Sequence, residues 1–149
     1  MSAPTAEPER RRLYVVAAWV PRRQTIAVGA LGALTFARGW YAYVGSARRG
    51  RDARVARHRR AAKPLRWHAD YLFSRYPPGR AWLIDTGLSE CELAARLGGE
   101  VVPRFGSSDC GCGGHLVRLP RLAALRGALA ALADGRSRPY TVHPDRRPR

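Results

Sequence analysis

The sequence predicts an α/β (α+β) domain in which helices flank a small central sheet of mixed or antiparallel strands. Two observations lead to this class. Short β-branched and aromatic runs end at proline or glycine, as strands do, and the segments between them space their apolar and charged residues as helices do. The length of 149 residues suits one compact domain. We expect residues 1–11 to be a flexible N-terminus, 12–134 to be the folded domain and 135–149 to be a flexible basic tail.

Strands are indicated by short runs rich in apolar, β-branched and aromatic residues. The run 13–20 (LYVVAAWV) is apolar throughout, which is typical of a buried strand, and it stops at Pro21. In the run 40–45 (WYAYVG), the two-residue period places Tyr41 and Tyr43 on the same face. The remaining predicted strands are a hairpin at 24–28 and 34–37, a buried strand at 81–85 and an edge strand at 115–119.

Helices are indicated by the spacing of charged and apolar residues. Between residues 46 and 63 the apolar residues are small and arginines recur at intervals of three, so a basic helix is expected there. Further helices are predicted at 67–75, 89–97 and 122–133. The glycine-rich stretch 98–114 predicts a long loop, and such a loop in a compact domain usually has a function or binds a metal.

The charge balance is strongly basic. Lys and Arg total 27 against 11 Asp and Glu, which gives a formal net charge of +16. So large a surplus attracts polyanions, of which nucleic acid is the commonest, with acidic membrane surfaces as the rival. No apolar run approaches the roughly 20 residues that span a bilayer, and residues 1–12 lack the apolar core of a signal peptide. We therefore expect a cytoplasmic protein whose partner is nucleic acid rather than a membrane.

Two tyrosine-bearing strands precede the basic helix, and a set of short motifs follows them in order. LYV at 13–15 and YVG at 43–45 resemble the two halves of the signature of the GIY-YIG nucleases. The match continues through Arg54, His58, WHADYL at 67–72, ECELA at 90–94 and FGSSDC at 105–110. Together the motifs resemble the Uri-type endonuclease branch over residues 13–119. Leu13 stands where the first motif has glycine, whereas the tyrosine is retained.

This resemblance implies a GIY-YIG-like fold and hydrolysis of a DNA phosphodiester with one divalent metal, Mg²⁺ or Mn²⁺. Such a reaction needs a base, a cation and a metal-bound acid, because negative charge builds on the phosphorane. Tyr14 would orient or deprotonate water if Mg²⁺ and arginines favour its phenolate, and Tyr43 would assist it. Arg54 would neutralise the phosphate, and His58, on the same helix face, would orient water, relay a proton or contact phosphate. The alternative function is a non-catalytic nucleic-acid-binding module with the same fold and basic face.

Two glutamates are candidates for the metal ligand. Ser89 is followed three residues later by Glu92, which is the pattern of a capping box and gives Glu92 a structural role at the helix start. Glu90 is the better match to the glutamate helix of the GIY-YIG nucleases. We therefore expect Glu90 to hold the metal and keep Glu92 as the alternative.

The other arginines around the basic helix are expected to lie on a solvated face that contacts the phosphates of a duplex. Their binding to nucleic acid would weaken as salt increases, because it depends on counterion release. This predicted footprint consists of Arg48, Arg49, Arg51, Arg57, Arg59 and Arg60.

Three cysteines are an odd number, and in a reducing compartment they do not predict a disulfide framework. Cys110, Cys112 and His115 form a C-x-C-x₂-H pattern, to which Cys91 would add a fourth ligand for structural zinc. The spacing is tighter than that of the usual C-x₂-C knuckle. We therefore expect a loop of small residues that packs near the active site, with a structural zinc ion as the alternative.

Overall fold

The computed structural model describes residues 11–107 and 112–132, together with Ser137–Arg138. In this part of the chain, six strands form one sheet in which every neighbouring pair is antiparallel. Their spatial order is β6 (Glu100–Val101), β7 (Leu116–Leu119), β4 (Gly39–Ser46), β1 (Arg11–Val20), β5 (Arg80–Thr86) and β8 (Ser137–Arg138). The predicted α+β class is confirmed, and the sheet is antiparallel rather than mixed.

Helices and a hairpin cover both faces of this sheet. One face carries α1 (Arg51–Arg59), α2 (His68–Phe73) and the hairpin of β2 (Gln24–Ala27) and β3 (Ala33–Phe36), whose strands are joined through a short 3₁₀ helix (Gly29–Leu31). The other face carries α3 (Glu90–Arg96) and α4 (Leu122–Ala130). Each face therefore has its own apolar core, and the sheet separates the two.

β1 lies inside the sheet because it is apolar on both faces. Leu13 and Val15 pack in the core that contains α3 and α4, whereas Tyr14 packs in the core that contains α1 and α2. In the register of the sheet, Tyr14 lies opposite Gly45 on β4 and Leu83 on β5. A continuous apolar run of this kind is what a strand buried on both faces requires.

The edges of the sheet differ from the prediction. β7 was expected at an edge, but β6, which lies within the glycine-rich stretch, pairs outside it. A two-residue strand is too short to show a hydrophobic period, so the sequence pattern does not reveal it. At the opposite edge, β8 pairs with β5 inside the segment predicted as a tail. Residues 1–10, 133–136 and 139–149 lie outside the described residues.

The helices are shorter than predicted. Because β4 extends to Ser46, α1 begins only after Gly50. The φ of Gly50 is +67°, a left-handed conformation that glycine favours. α4 ends at Ala130 instead of residue 133. The longest described helices have nine residues, and no helix in the described part of the chain is long and apolar enough to cross a bilayer.

One end of the sheet brings together the motifs that are far apart in the sequence. There β1 begins and β4 ends, so that Leu13 pairs with Ser46 and Tyr14 with Gly45. α1 follows β4 on one face, and the first residue of α3, Glu90, lies against Ser46 from the other. Polar groups from both faces therefore meet at this end of the sheet.

Candidate active site

Tyr14 and His58 form a buried pair beneath this end of the sheet. Tyr14 Oη lies 2.8 Å from His58 Nε2, and the two rings are 5.4 Å apart. The side chain of Tyr14 packs flat against Gly45, where any Cβ atom would overlap the phenol ring. Tyr14 is 2% exposed and His58 is fully buried. The glycine of the YVG motif therefore has a physical role, which is to leave room for the tyrosine of the first motif.

Burial decides the protonation of this pair. It raises the pKa of Tyr14 far above its ordinary value, and the charge of Arg54, which favours the phenolate, does not offset it. It also lowers the pKa of His58 to about 3. Both side chains are therefore neutral at pH 7. The residues of the chain alone do not favour the phenolate that was considered for Tyr14, because desolvation outweighs the nearby arginine.

Tyr43 and Arg54 lie next to the buried pair. The Tyr43 ring centroid is 5.5 Å from that of His58 and 6.3 Å from that of Phe105. Arg54 is exposed, donates a hydrogen bond of 3.0 Å to the Ser46 carbonyl, and holds its guanidinium 5.3 Å from the Trp67 ring centroid. The predicted tyrosines, histidine and arginine thus belong to one cluster.

Glu90 completes the cluster from the opposite face. Ser46 Oγ donates a hydrogen bond to Glu90 Oε1, and His115 Nδ1 lies 3.3 Å from Glu90 Oε2. The Glu90 side chain remains 31% exposed, so its carboxylate can be reached from solvent. Its negative charge is near enough to Tyr14 to contribute to the raised pKa of the phenol.

Glu92 has the structural role that its position in the sequence predicted. Ser89 Oγ accepts a hydrogen bond of 3.1 Å from the Glu92 amide, and the Glu92 carboxylate accepts one of 3.3 Å from the Ser89 amide. This capping box satisfies amides at the start of α3 that have no partner within the helix. The geometry favours Glu90 over Glu92 as a metal ligand.

An open cleft of about 680 Å³ lies beside Glu90. Ser46 and Glu90 line it together with three arginines, Arg11, Arg12 and Arg48. Three guanidinium groups around one accessible carboxylate suit a ligand that offers phosphate oxygens. Sequence reasoning missed Arg11 and Arg12 here, although the arginine triplet at 10–12 directly before the first strand was a signal.

Two members of the predicted footprint are structural instead. Arg51 is 7% exposed, forms an ion pair of 2.7 Å with Asp85 and donates to the Leu13 carbonyl at 3.1 Å. Arg57 binds both carboxylate oxygens of Asp70, at 2.6 and 3.0 Å. The prediction that these arginines face solvent was wrong, because each is needed to pair with an acid from another element.

Asp70 shows why Arg57 is held so firmly. Burial by itself would raise the pKa of the fully buried Asp70 carboxyl, but Arg57 and the amides of Trp67 and Arg66 hold it below its usual value. The guanidinium of Arg57 also lies 4.4 Å from the Trp67 ring centroid. Asp70 therefore caps α2 and anchors α1 to it.

The other footprint arginines remain available to a ligand to different degrees. Arg48, Arg49 and Arg60 are exposed. Arg59 is partly buried and donates to the Pro78 carbonyl at 3.3 Å. The exposed basic surface is therefore smaller than the sequence predicted, and it is supplemented by Arg11 and Arg12 at the cleft.

Cys91 and Cys112 lie together beside His115. The structure pairs Cys91 with Cys112 as a disulfide, whereas no disulfide framework was predicted from the sequence. The sequence alone does not predict this pair, because only the fold brings together two residues that are 21 positions apart. His115 Nε2 lies 3.4 Å from the Cys91 sulfur. Cys110, the third residue of the predicted zinc pattern, lies outside the described residues.

The fold and the site define a basic α+β protein with an antiparallel sheet, one end of which carries a tyrosine, histidine and glutamate cluster beside an arginine-lined cleft. The family described as "Domain of unknown function DUF123" matches residues 13–136. Since this match covers most of the chain, the chain belongs to that family. No curated protein and no solved structure matches it.

Proposed function

We propose that this protein is a GIY-YIG-type endonuclease of the Uri-type branch that hydrolyses DNA phosphodiester bonds with Mg²⁺ or Mn²⁺. The observation that carries the proposal is the convergence of Tyr14, Tyr43, Arg54, His58 and Glu90 at one end of the sheet. These residues come from two strands and two helices, and together they offer a proton-transfer pair, a cation and an accessible carboxylate. A cytoplasmic location, where nucleic acid is accessible, belongs to the same proposal.

Binding of the substrate is assigned to the cleft. Arg11, Arg12 and Arg48 line it, and guanidinium groups bind phosphate oxygens through paired hydrogen bonds. The exposed Arg49 and Arg60 extend the positive surface, and they bring the backbone of a duplex to the cleft without reading its bases.

Glu90 is the residue that fits a divalent metal. Mg²⁺ prefers oxygen ligands and is usually held by one or two carboxylates, with water and substrate phosphates completing its coordination. The Glu90 carboxylate is accessible and lines the cleft, Ser46 donates a hydrogen bond to it, and His115 lies beside it. When bound, the metal would neutralise developing negative charge and favour ionisation of a coordinated water.

Proton transfer is assigned to Tyr14 and His58. In this proposal the attacking water gives its proton to Tyr14 Oη, while the phenol passes its own proton to His58 Nε2 across 2.8 Å. His58 is neutral, and the transfer requires the tautomer in which Nε2 is unprotonated and the ring proton is on Nδ1. A bound phosphate would raise the pKa of His58, because an anion stabilises the imidazolium. Arg54 stabilises the negative charge on the phosphorane.

The burial of Tyr14 favours a second candidate function. A phenol that is 2% exposed and has a raised pKa is also what a purely structural tyrosine would look like. In that case the protein is a nucleic-acid-binding module that keeps the fold and the arginine-lined cleft but does not cleave. The two candidates make different demands on Glu90 and on the Tyr14 hydroxyl, neither of which a binder needs.

Cleavage of a panel of DNA and RNA structures, with and without Mg²⁺ or Mn²⁺, tests the proposal. Glu90→Gln should lower metal-dependent cleavage at least about 100-fold, because it removes the carboxylate charge while keeping the shape. Its matched control is Glu92→Gln in the same helical turn, which should still cleave. Measured without a divalent metal, the affinity for DNA should change less than about threefold in both variants, since neither side chain is assigned a direct phosphate contact.

Two results would decide against the nuclease. Wild-type protein that binds DNA tightly but cuts no member of the panel with either metal would favour the binding module. Equal cleavage by wild type, Glu90→Gln and Tyr14→Phe would show that any observed activity does not use this site. Affinity measured for the same samples keeps loss of binding apart from loss of chemistry.

A further inference from the structure

We propose that in the reduced protein Cys91, Cys112 and His115 form a zinc site. The three donors lie together where α3, β7 and the end of the glycine-rich loop meet, and their ligand atoms are all within 4.8 Å of one another. Thiolate and imidazole are the donors that zinc selects. This proposal does not depend on the proposed nuclease function, since it concerns only how these side chains bind a metal.

The position of His115 points to a metal rather than to a disulfide alone. His115 is 5% exposed, and its Nε2 lies 3.4 Å from the Cys91 sulfur. A disulfide uses both sulfur atoms and has no need of an imidazole, whereas zinc needs further donors beside two thiolates. The backbone of His115 is also fixed, because its amide donates to the Phe105 carbonyl at 2.7 Å and its carbonyl accepts from Val44 at 2.9 Å.

The second nitrogen of His115 supports the same conclusion. Nδ1 lies 3.3 Å from Glu90 Oε2, so the ring has sulfur on one side and a carboxylate on the other. A zinc-bound histidine typically donates its other N–H to a carboxylate, which fixes its tautomer and orientation. The same contact would orient Glu90, whose other oxygen accepts from Ser46.

The positions of the two cysteines allow the change from disulfide to metal site. Their Cα atoms are 5.9 Å apart. Two sulfurs that share a tetrahedral zinc ion at about 2.3 Å are separated by roughly 3.8 Å. In the proposed site the two cysteine side chains would rotate to this separation, and the backbone distance is compatible with both arrangements.

Such a site would fasten the loop to the helix that carries Glu90. The loop holds Phe105 against the Tyr43 ring, and Gly106 packs so closely on Tyr43 that a Cβ atom there would lie 2.8 Å from its ring. Cys112 lies at the end of this loop and Cys91 in the first turn of α3. Zinc would therefore connect the surroundings of Tyr43 to those of Glu90, in a stretch whose many glycines provide little apolar packing.

Metal content of the full chain, purified under reducing conditions without chelator, tests the proposal. Wild-type protein should contain about one zinc ion per chain. Replacement by Co²⁺ should produce the sulfur-to-cobalt charge-transfer absorption and the visible bands of a tetrahedral site. Cys91→Ser and His115→Gln should each lower zinc content at least about tenfold. The matched control is His68→Gln, since His68 accepts a hydrogen bond from the Gly106 amide outside the cluster.

Measurements on the wild-type protein test the zinc site even if a variant fails to fold. Reduced wild-type protein that binds neither added Zn²⁺ nor Co²⁺, and that shows the Cys91–Cys112 disulfide by peptide mass spectrometry on oxidation, would overturn the zinc site and leave a structural disulfide. Unchanged zinc content in His115→Gln would overturn the role of the imidazole. None of these readouts uses nuclease activity, so failure here is distinct from failure of the proposed function.

Discussion

Gly45 is predicted to be a position where one added methyl group damages both stability and the candidate site. An alanine Cβ at this strand position would overlap the Tyr14 ring, with the Cε2 atom 2.8 Å away and the Cζ and Oη atoms closer still. Tyr14 cannot move aside easily, because it is 2% exposed and its hydroxyl lies 2.8 Å from His58 Nε2. Overpacking of this kind costs about 1–3 kcal/mol.

The expected loss of stability can be worked out from two opposing effects. Replacing glycine by alanine in extended backbone would by itself stabilise the fold by about 0.4–1 kcal/mol, because it restricts the unfolded chain. The clash with Tyr14 must exceed this gain. We therefore expect Gly45→Ala to lower the free energy of unfolding by about 1–2 kcal/mol. Gly79→Ala is the matched control, since a Cβ there meets no atom within 4 Å.

Urea denaturation of five proteins measures the effect: wild type, Gly45→Ala, Gly79→Ala, Tyr14→Leu and the double variant with Gly45→Ala and Tyr14→Leu. If the overlap with the ring is the cause, the double variant should be more stable than the sum of the single losses predicts, by more than about 0.5 kcal/mol. Additive losses, or a Gly45→Ala variant as stable as Gly79→Ala, would refute the argument that Gly45 exists to make room for Tyr14.

Three further predictions concern two arginines and the buried histidine. Arg57→Ala should lower the free energy of unfolding by about 3 kcal/mol, because it leaves the buried Asp70 carboxylate without its partner. Urea denaturation measures this loss. The control is Arg60→Ala at an exposed position, which should change the free energy of unfolding by less than about 0.5 kcal/mol. His58 has a lowered folded-state pKa of about 3, so protonation favours the unfolded chain, and stability should fall as pH decreases from about 6.5 towards 4. His58→Gln should make the free energy of unfolding depend less on pH, as measured by denaturation curves recorded across that pH range. An unchanged pH dependence would mean that other groups cause it. Arg48→Ala should weaken DNA binding and reduce the slope of log affinity against log salt by about 1; titrations at several salt concentrations would contradict the cleft as a phosphate site if the slope did not change.

Most of the elements could be predicted because their signals are local. The apolar run at 13–20 and the alternating run at 40–45 correspond to β1 and β4, and the basic texture after them contains α1. The capping box of Ser89 and Glu92 was also visible, because it depends on residues three positions apart. The strands that were missed, β6 and β8, have two residues each, which is too few for a hydrophobic period.

The candidate site was only partly predictable. Motif resemblance selected Tyr14, His58 and Glu90, but the contact of Tyr14 with His58, the burial of this pair and the position of Glu90 follow from the packing of α1 and α3 on the sheet. The neutral state of the Tyr14 phenol is an example, because its raised pKa results mainly from desolvation and no sequence pattern reports desolvation. Arg11 and Arg12 became part of the site only because the start of β1 borders the cleft.

The sequence by itself determined the α+β class, the basic character of the surface and the order of the motifs, since each depends on composition or on neighbouring residues. Tertiary structure alone decided which of the arginines remain exposed to solvent and which pair with acids of other elements. Arg51 pairs with Asp85 and Arg57 with Asp70, so two of six equivalent-looking arginines were removed from the surface by acids 34 and 13 residues away. The physical reason is that a pairing across such distances depends on where the folded chain places each side chain.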